Sequence, residues 1–119
     1  MQTVLVVDDH PTFRRFARQM LEEAGFAVVG EAADGTAALE RARELEPDVV
    51  LLDVLLPDIS GIELAHSLAR LLPAPSVVLT SSRSAADLGA ALRDAPACGF
   101  IAKAGLSGAA VQALVERRA

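Results

Sequence analysis

The sequence predicts an α/β protein with a doubly wound, five-stranded parallel sheet and five helices. Five short runs rich in Val, Leu and Ile alternate along the chain with segments of helical periodicity. The apolar runs are continuous rather than alternating with polar residues, which is typical of parallel strands buried on both faces. Right-handed crossovers between such strands place helices on both sides of the sheet.

Length and composition indicate one globular domain. The chain has 119 residues, and we expect a single domain over residues 1–119. A hydrophobic content of 52% is enough for a core and excludes a disordered chain. The net charge of -5 is opposite in sign to that of a duplex-binding module, so we expect no nucleic acid to bind this segment.

Cysteine content and the first residues bear on location. The single cysteine, Cys98, can form no disulfide within the chain, which fits a reducing compartment. The N-terminus has neither a basic segment nor a long apolar run of the signal-peptide type. We therefore expect a cytoplasmic protein that is not embedded in a membrane.

The five predicted strands are short and rich in β-branched or apolar residues. They cover residues 3–7, 27–32, 48–52, 76–80 and 99–102.

The first two helices are predicted from an apolar face and from the residues that end them. The apolar face of the first helix consists of Phe13, Ala17, Met20, Leu21 and Ala24, and the opposite, solvent-facing side consists of Arg14, Arg15, Arg18 and Glu22. Gly25 follows this face as a helix stop. The second helix begins near Asp34 and ends before Pro47, and its apolar positions are Ala38, Ala42 and Leu45.

The remaining three helices are predicted in the same way. The third has the apolar positions Ile62, Ala65, Leu68 and Leu72 and ends before Pro73. A weakly amphipathic segment over residues 84–94 predicts the fourth. Ser107 can cap the fifth, whose apolar stripe is Val111, Leu114 and Val115.

Polar side chains stand where four of the five strands end, which is the edge where such sheets bind ligands. These residues are Asp8, Asp9, Asp53, Thr80 and Lys103. Two carboxylates about 4 Å apart repel each other by about 4 kcal/mol at an effective dielectric of 20, so a cluster of three needs a cation. An oxygen-only set suits Mg²⁺, with Mn²⁺ as a substitute.

The chemistry that fits these groups is phosphoryl transfer. A metal ion, the Lys103 ammonium and the Thr80 hydroxyl can together neutralise the charge of a phosphoryl group. One of the carboxylates can attack phosphorus and form an acyl phosphate. His10 follows the acidic pair, but we assign it to the start of a helix rather than to the metal.

Several motifs in register resemble bacterial response-regulator receiver domains. They are VVDDH at 6–10, VLLD at 50–53, Pro57, Gly61, VLT at 78–80 and GFIAK at 99–103. The similarity spans the whole chain. The Asp-Asp-His opening, the VGEAADG stretch at 29–35 and the absence of Pro after Lys103 are most similar to the NarL/FixJ-type branch, whose members usually carry a helix-turn-helix output domain.

This resemblance implies a flavodoxin-like strand order of 2-1-3-4-5 and a phosphorylation switch. Asp53 would accept a phosphoryl group from a sensor histidine kinase. Asp8, Asp9, Asp53 and the main-chain carbonyl of Leu55 would hold Mg²⁺. Leu55 is apolar where many relatives are polar, and we expect its side chain to shield the acyl phosphate from water.

The resemblance also implies how the signal leaves the site. Thr80 would move to bind the phosphoryl oxygen, and Lys103 would pair with the phosphoryl group as a point charge. Phe100 matches an aromatic switch position that turns inward when the threonine moves, and without a hydroxyl it can act only by packing. The expected outcome is release of an output domain outside this chain, or homodimer formation.

Other function classes fit the sequence less well. A magnesium-dependent phosphohydrolase would use the same aspartyl phosphate, but its usual Asp-x-Asp pair is absent because residue 10 is His. An interaction module without phosphorylation would not need all five strand-end residues. A dinucleotide-binding unit is excluded because no Gly-x-Gly-x-x-Gly follows the first strand. We therefore expect no enzyme activity beyond the chain's own phosphorylation and dephosphorylation.

Overall fold

The computed structural model describes residues 1–118, and the predicted domain end at Ala119 lies outside them. Five strands form one parallel sheet: β1 (Thr3–Val7), β2 (Ala27–Ala32), β3 (Val49–Asp53), β4 (Ser76–Ser81) and β5 (Gly99–Ala102). Their order is β2-β1-β3-β4-β5, and every neighbouring pair is parallel. The predicted fold class and strand order are therefore confirmed.

Helices cover both faces of this sheet. They are α1 (Pro11–Glu23), α2 (Gly35–Leu45), α3 (Gly61–Leu68), α4 (Ala85–Leu88), α5 (Ala90–Arg93) and α6 (Gly108–Arg118), with a 3₁₀ turn at Lys103–Gly105. Gly25 has a positive φ of 95° directly after the α1 cap, as a helix stop requires. Asp34 accepts a hydrogen bond from Ala37 N at 2.8 Å, and Ser107 Oγ accepts one from Ala110 N at 3.0 Å. The predicted helix stop at Gly25, the predicted start near Asp34 and the predicted Ser107 cap are confirmed.

Two helix predictions differ from the structure. The predicted fourth helix is broken into α4 and α5 because Gly89 adopts φ 71° and ψ -156°, a conformation that only glycine accepts easily. The third helix ends at Leu68 rather than reaching Leu72, whose side chain is 96% exposed. Pro73 disfavours a helical conformation at the residue before it, so the apolar Leu72 belongs to the loop and its predicted place in the core is wrong.

The sheet separates two hydrophobic layers. Leu5 and Val7 of β1 face one layer with α2 and α3, and Val4 and Val6 face the other with α1 and α6. All four side chains are at most 1% exposed. Buried strands of this kind hold the carboxyl edge of the sheet in place. None of the helices in the described part of the chain combines the length and the apolar character needed to cross a bilayer.

Candidate functional site

The predicted site residues meet at the carboxyl edge of the sheet. Val7 pairs with Leu52, so Asp8 and Asp53, the residues that follow them in the chain, leave adjacent strands side by side. Asp53 in turn lies opposite Thr80 on β4. This proximity follows from parallel pairing, because parallel strands deliver their ends to one edge.

Lys103 connects the two buried carboxylates. Its Nζ donates to Asp8 Oδ2 at 2.7 Å and to Asp53 Oδ2 at 3.3 Å. Asp8 is 0% and Asp53 3% exposed. Water therefore does not solvate these two carboxylates, and the Lys103 ammonium stabilises their negative charge instead. The first residue after β5 is thereby tied to β1 and β3.

Burial and this ion cluster shift the pKa values of all three groups. Burial alone would raise the pKa of Asp8, but hydrogen bonds from Lys103 and His10 outweigh it and leave the pKa lowered. Burial raises the pKa of Asp53, and the neighbouring Asp8 charge adds to this rise. Burial would lower the pKa of Lys103, but its bond to Asp8 and the two carboxylate charges raise it. Lys103 is therefore positively charged at neutral pH.

Four side chains at this edge can hold a metal ion. Ligand atoms of Asp8, Asp9, His10 and Asp53 lie within 4.8 Å of one another. Three carboxylates against the single Lys103 ammonium leave a charge of -2, which a divalent cation would balance. The donor set therefore fits the predicted metal site.

His10 lies closer to the acidic groups than its sequence-based assignment implied. It is the cap residue of α1, as predicted, and makes no side-chain cap bond. Its Nδ1 lies 2.9 Å from Asp8 Oδ1 and 3.0 Å from Asp9 Oδ1, a geometry in which Nδ1–H donates to the carboxylates. The ring itself is 67% exposed. The signal for this contact in the sequence was that His10 directly follows Asp8 and Asp9.

The loop after β3 folds closely over Asp53. Leu55 N donates to Asp53 Oδ1 at 3.1 Å, and Gly61 N donates to Val54 O at 2.7 Å. A Cβ on Gly61 would collide with the Asp53 backbone, so only glycine fits there. The Leu55 side chain is 50% exposed beside the site, and its carbonyl remains a predicted metal ligand.

Thr80 and Phe100 are the two residues predicted to form the switch. Thr80 is completely buried, and its Oγ1 donates to Ile101 O at 2.7 Å. Among residues 1–118 no hydrogen bond joins this hydroxyl to Asp53. Phe100 is partly buried against the layer that contains α2 and α3. The switching role of both residues stays a prediction.

Sequence reasoning missed Arg14. It was placed on the solvent-facing side of α1, but its guanidinium donates to Asp8 O at 2.7 Å and to Glu31 Oε1 at 3.1 Å. Arg18, one turn later, donates to Glu31 Oε2 at 2.9 Å. The sequence signal for this cluster was that Arg14 and Arg18 are four residues apart on one helix and that Glu31 lies on the following strand. This cluster fixes the backbone at Asp8.

Asp58 is exposed, and it has a structural role that the sequence analysis did not identify. Its carboxylate accepts hydrogen bonds from Gly35 N at 2.8 Å and from Thr36 N at 3.0 Å. These hydrogen bonds lower the pKa of Asp58, and the bond from Gly35 N has the largest effect. The loop after β3 therefore caps α2 from outside the helix.

Comparison with known families and structures agrees with this geometry. The family model for the response regulator receiver domain matches residues 4–115. The fold is similar to the signal receiver domain of the response regulator NarL from Mycobacterium tuberculosis. That similarity has a TM-score of 0.87 and 33% sequence identity, and covers 97% of this chain and 96% of that one.

The curated relatives include both a response regulator and an enzyme. The nitrate/nitrite response regulator protein NarP of Escherichia coli (strain K12) is 42% identical over 102 residues, which are 84% of this chain and 47% of NarP. A protein-glutamate methylesterase/protein-glutamine glutaminase of Hahella chejuensis is 39% identical over 84 residues, which are 71% of this chain and 24% of that protein. The chain thus spans less than half the length of these two relatives.

Proposed function

Since the chain belongs to the response regulator receiver domain family, we propose that residues 1–119 form one receiver domain in which Asp53 accepts a phosphoryl group from a sensor histidine kinase. The predicted two-component role and the NarL-type branch are confirmed. The observation that carries the choice of Asp53 is its buried carboxylate, held by Leu55 N on one oxygen and by Lys103 Nζ on the other.

The proposed reaction uses Asp53 as the nucleophile. A carboxylate oxygen attacks the phosphorus of a phosphohistidine, the P–N bond breaks, and the released imidazole nitrogen takes up a proton from water. Lys103 places a positive charge beside the developing phosphoryl oxygens. The N–H of Leu55 keeps the carboxylate oriented during the attack.

We assign Mg²⁺, with Mn²⁺ as a substitute, to Asp8, Asp9, Asp53 and the Leu55 carbonyl. When bound, the ion supplies neutralisation of charge on the phosphoryl oxygens. His10 is left outside the set because its Nδ1 already contacts Asp8 and Asp9. Asp8 is held in place by Lys103 and His10, so this part of the set is organised before a metal arrives.

The proposed switch is an exchange of hydrogen-bond partners. Thr80 Oγ1 would leave Ile101 O and donate to the phosphoryl group instead. Phe100, one residue before Ile101 on β5, would then turn inward and change the surface around β5 by packing alone. A partner protein of the receiver would bind differently to this changed surface.

The wider assignment concerns the protein to which this domain contributes. We propose a helix-turn-helix output domain outside this chain, homodimer formation on phosphorylation, and a cytoplasmic location with the kinase. Receiver domains are typical of response regulators without enzyme activity, although three of the relatives are protein-glutamate methylesterases/protein-glutamine glutaminases. We propose that this chain promotes only its own phosphorylation and dephosphorylation, with no membrane or nucleic acid bound directly.

Intact mass spectrometry tests the assignment of Asp53. The chain is incubated with Mg²⁺ and acetyl phosphate, beside an EDTA sample and Asp53→Asn. Asp87→Asn, an exposed acid on α4, is the matched control. We expect one phosphoryl adduct in the native chain and in Asp87→Asn, and none in the EDTA and Asp53→Asn samples.

Other results would indicate another function. Steady phosphate release without an adduct indicates a phosphohydrolase or a very short-lived acyl phosphate. Neither adduct nor release indicates an interaction module. An adduct that persists in Asp53→Asn would show that another residue is the acceptor.

A further inference from the structure

The Lys103 ammonium has a third neighbour besides its two carboxylates. Its Nζ lies over the ring of Phe13, 4.1 Å from the centroid. We propose that Phe13 is a positioning residue, whose ring face holds Lys103 at the phosphorylation site by a cation–π interaction. The inference rests on the proposed function, because it assigns to Phe13 a part in the phosphorylation of Asp53.

Three separate elements fix the position of the ammonium. Asp8 follows β1, Asp53 ends β3, and Phe13 lies in the first turns of α1. The lysine side chain is a flexible stem of four methylenes, so a carboxylate on one side alone leaves it many conformations. With the ring on its remaining side, the Lys103 side chain is only 19% exposed. Phe13 thus limits both its conformations and its contact with water.

A ring face is suited to a cation whose other partners change during the reaction. Lys103 Nζ donates to Asp53 Oδ2 at 3.3 Å before transfer. Once Asp53 is an acyl phosphate, the negative charge lies on the phosphoryl oxygens, and the ammonium has to follow it. A hydrogen bond is lost when its donor shifts or rotates. Attraction to a ring face does not depend on rotation of the ammonium and persists while the ammonium stays over the face within about 6 Å of the centroid, so Phe13 can hold it before and after transfer.

The position of Phe13 on α1 explains why it reaches the site. Phe13 packs against the layer that contains α1 and α6, and it is only partly buried. Phe16, three residues later, is a second ring on the same helix, with its centroid 6.2 Å from that of Phe13. Phe16 is 52% exposed, and no cation–π contact joins it to Lys103 in the described part of the chain. The helix therefore offers its own matched control.

A spectroscopic experiment tests the contact directly. Lys103 is the only lysine in the sequence, so protein grown with ¹³C-labelled lysine gives NMR signals from this side chain alone. Protons near a ring face are shielded, and we expect the Cε protons of Lys103 to resonate upfield of free lysine. The upfield shift should persist in Phe13→Tyr and Phe16→Leu and be lost in Phe13→Leu. A native signal at the position of free lysine would overturn the proposal.

Kinetics then test whether the contact matters. Adduct formation from acetyl phosphate and Mg²⁺ is followed by intact mass in the native chain and the same three variants. We expect Phe13→Leu, which keeps apolar volume but removes the ring, to react about 2- to 10-fold more slowly. Phe13→Tyr should restore the native rate, and Phe16→Leu should leave it unchanged. Thermal melting shows whether each variant is folded.

Each result distinguishes this proposal from the proposed function. A folded Phe13→Leu chain that reacts at the native rate would overturn the role of Phe13, because an apolar wall would then suffice. Should Phe13→Leu fail to fold, a slow Phe13→Tyr reaction would also overturn it. A native chain that forms no adduct would contradict the proposed function itself, whereas the lysine signal reports the ring contact independently.

Discussion

Replacement of Lys103 by methionine should destabilise the fold even when no phosphodonor is present. Its Nζ lies 2.7 Å from Asp8 Oδ2 and 3.3 Å from Asp53 Oδ2. At an effective dielectric of 20 these distances correspond to attractions of about 6 and 5 kcal/mol. Desolvation of the ammonium offsets most of this energy, and removal of one partner from a buried ion pair costs about 3–5 kcal/mol.

The lower end of that range applies to Lys103. Its side chain keeps 19% exposure, and Asp8 retains the hydrogen bond from His10 N at 2.8 Å. We therefore expect Lys103→Met to lower the free energy of unfolding by about 3 kcal/mol in EDTA. Added Mg²⁺ should restore part of this loss, because a bound cation replaces the missing positive charge.

Urea denaturation at neutral pH measures this difference. Arg41→Met is the matched control, because it removes one positive charge from an exposed position on α2. The control should change stability by less than about 0.5 kcal/mol. A Lys103→Met chain as stable as the native one in EDTA would refute the reasoning, since Asp8 and Asp53 would then need no counter-charge.

Three further predictions concern neighbouring residues. Thr80→Ala should cost about 1 kcal/mol in urea denaturation, because Ile101 O loses its donor, and Thr80→Ser should keep that bond. Leu55→Asn should shorten the phosphoryl lifetime, because an apolar shield is lost; unchanged or slower phosphate release would contradict this. Asp58→Ala should weaken the start of α2. The Gly35 hydrogen bond lowers the pKa of Asp58 below 3.8. The contribution of Asp58 to the stability of the fold is therefore complete above about pH 3.8, and it disappears as the pH falls through the lowered pKa. Melting temperatures of native and Asp58→Ala chains should therefore converge in acid.

The fold was predictable because the sheet depends on local patterns. Continuous apolar runs identified all five strands. The central residues of β1, β3 and β4 are buried, whereas those of the edge strands β2 and β5 are only partly buried or exposed. Asp and Ser are preferred residue types at helix N-caps, so the starts of α2 at Asp34 and of α6 at Ser107 followed from the sequence.

The fourth helix shows where periodicity is insufficient. A glycine within a helix costs only about 1 kcal/mol, so the sequence pattern alone cannot tell a tolerated Gly89 from a break. Leu72 fits the helical spacing of α3, yet Pro73, which follows it, disfavours a helical conformation at Leu72. In both cases the backbone preference of one residue decided the outcome against the hydrophobic pattern.

The site was predictable to the level of residues but not of contacts. The rule that ligands bind at the carboxyl edge of a parallel sheet selected Asp8, Asp53 and Lys103. Helical spacing assigned Phe13 to the core and Arg14 to the solvent-facing side of α1. Their contacts with Lys103 and with Asp8 depend on how α1 lies against the sheet. That placement is a tertiary property, which spacing along one helix does not contain.

The buried hydroxyl of Thr80 carries a single proton, and this has a consequence for signalling fidelity. While the proton is donated to Ile101 O it cannot serve a phosphoryl oxygen, so the two arrangements exclude each other. A hydrogen bond worth about 1 kcal/mol disfavours the alternative arrangement by about fivefold before any phosphate arrives. Under the proposed switch, the background output of the unstimulated receiver depends in part on this one bond.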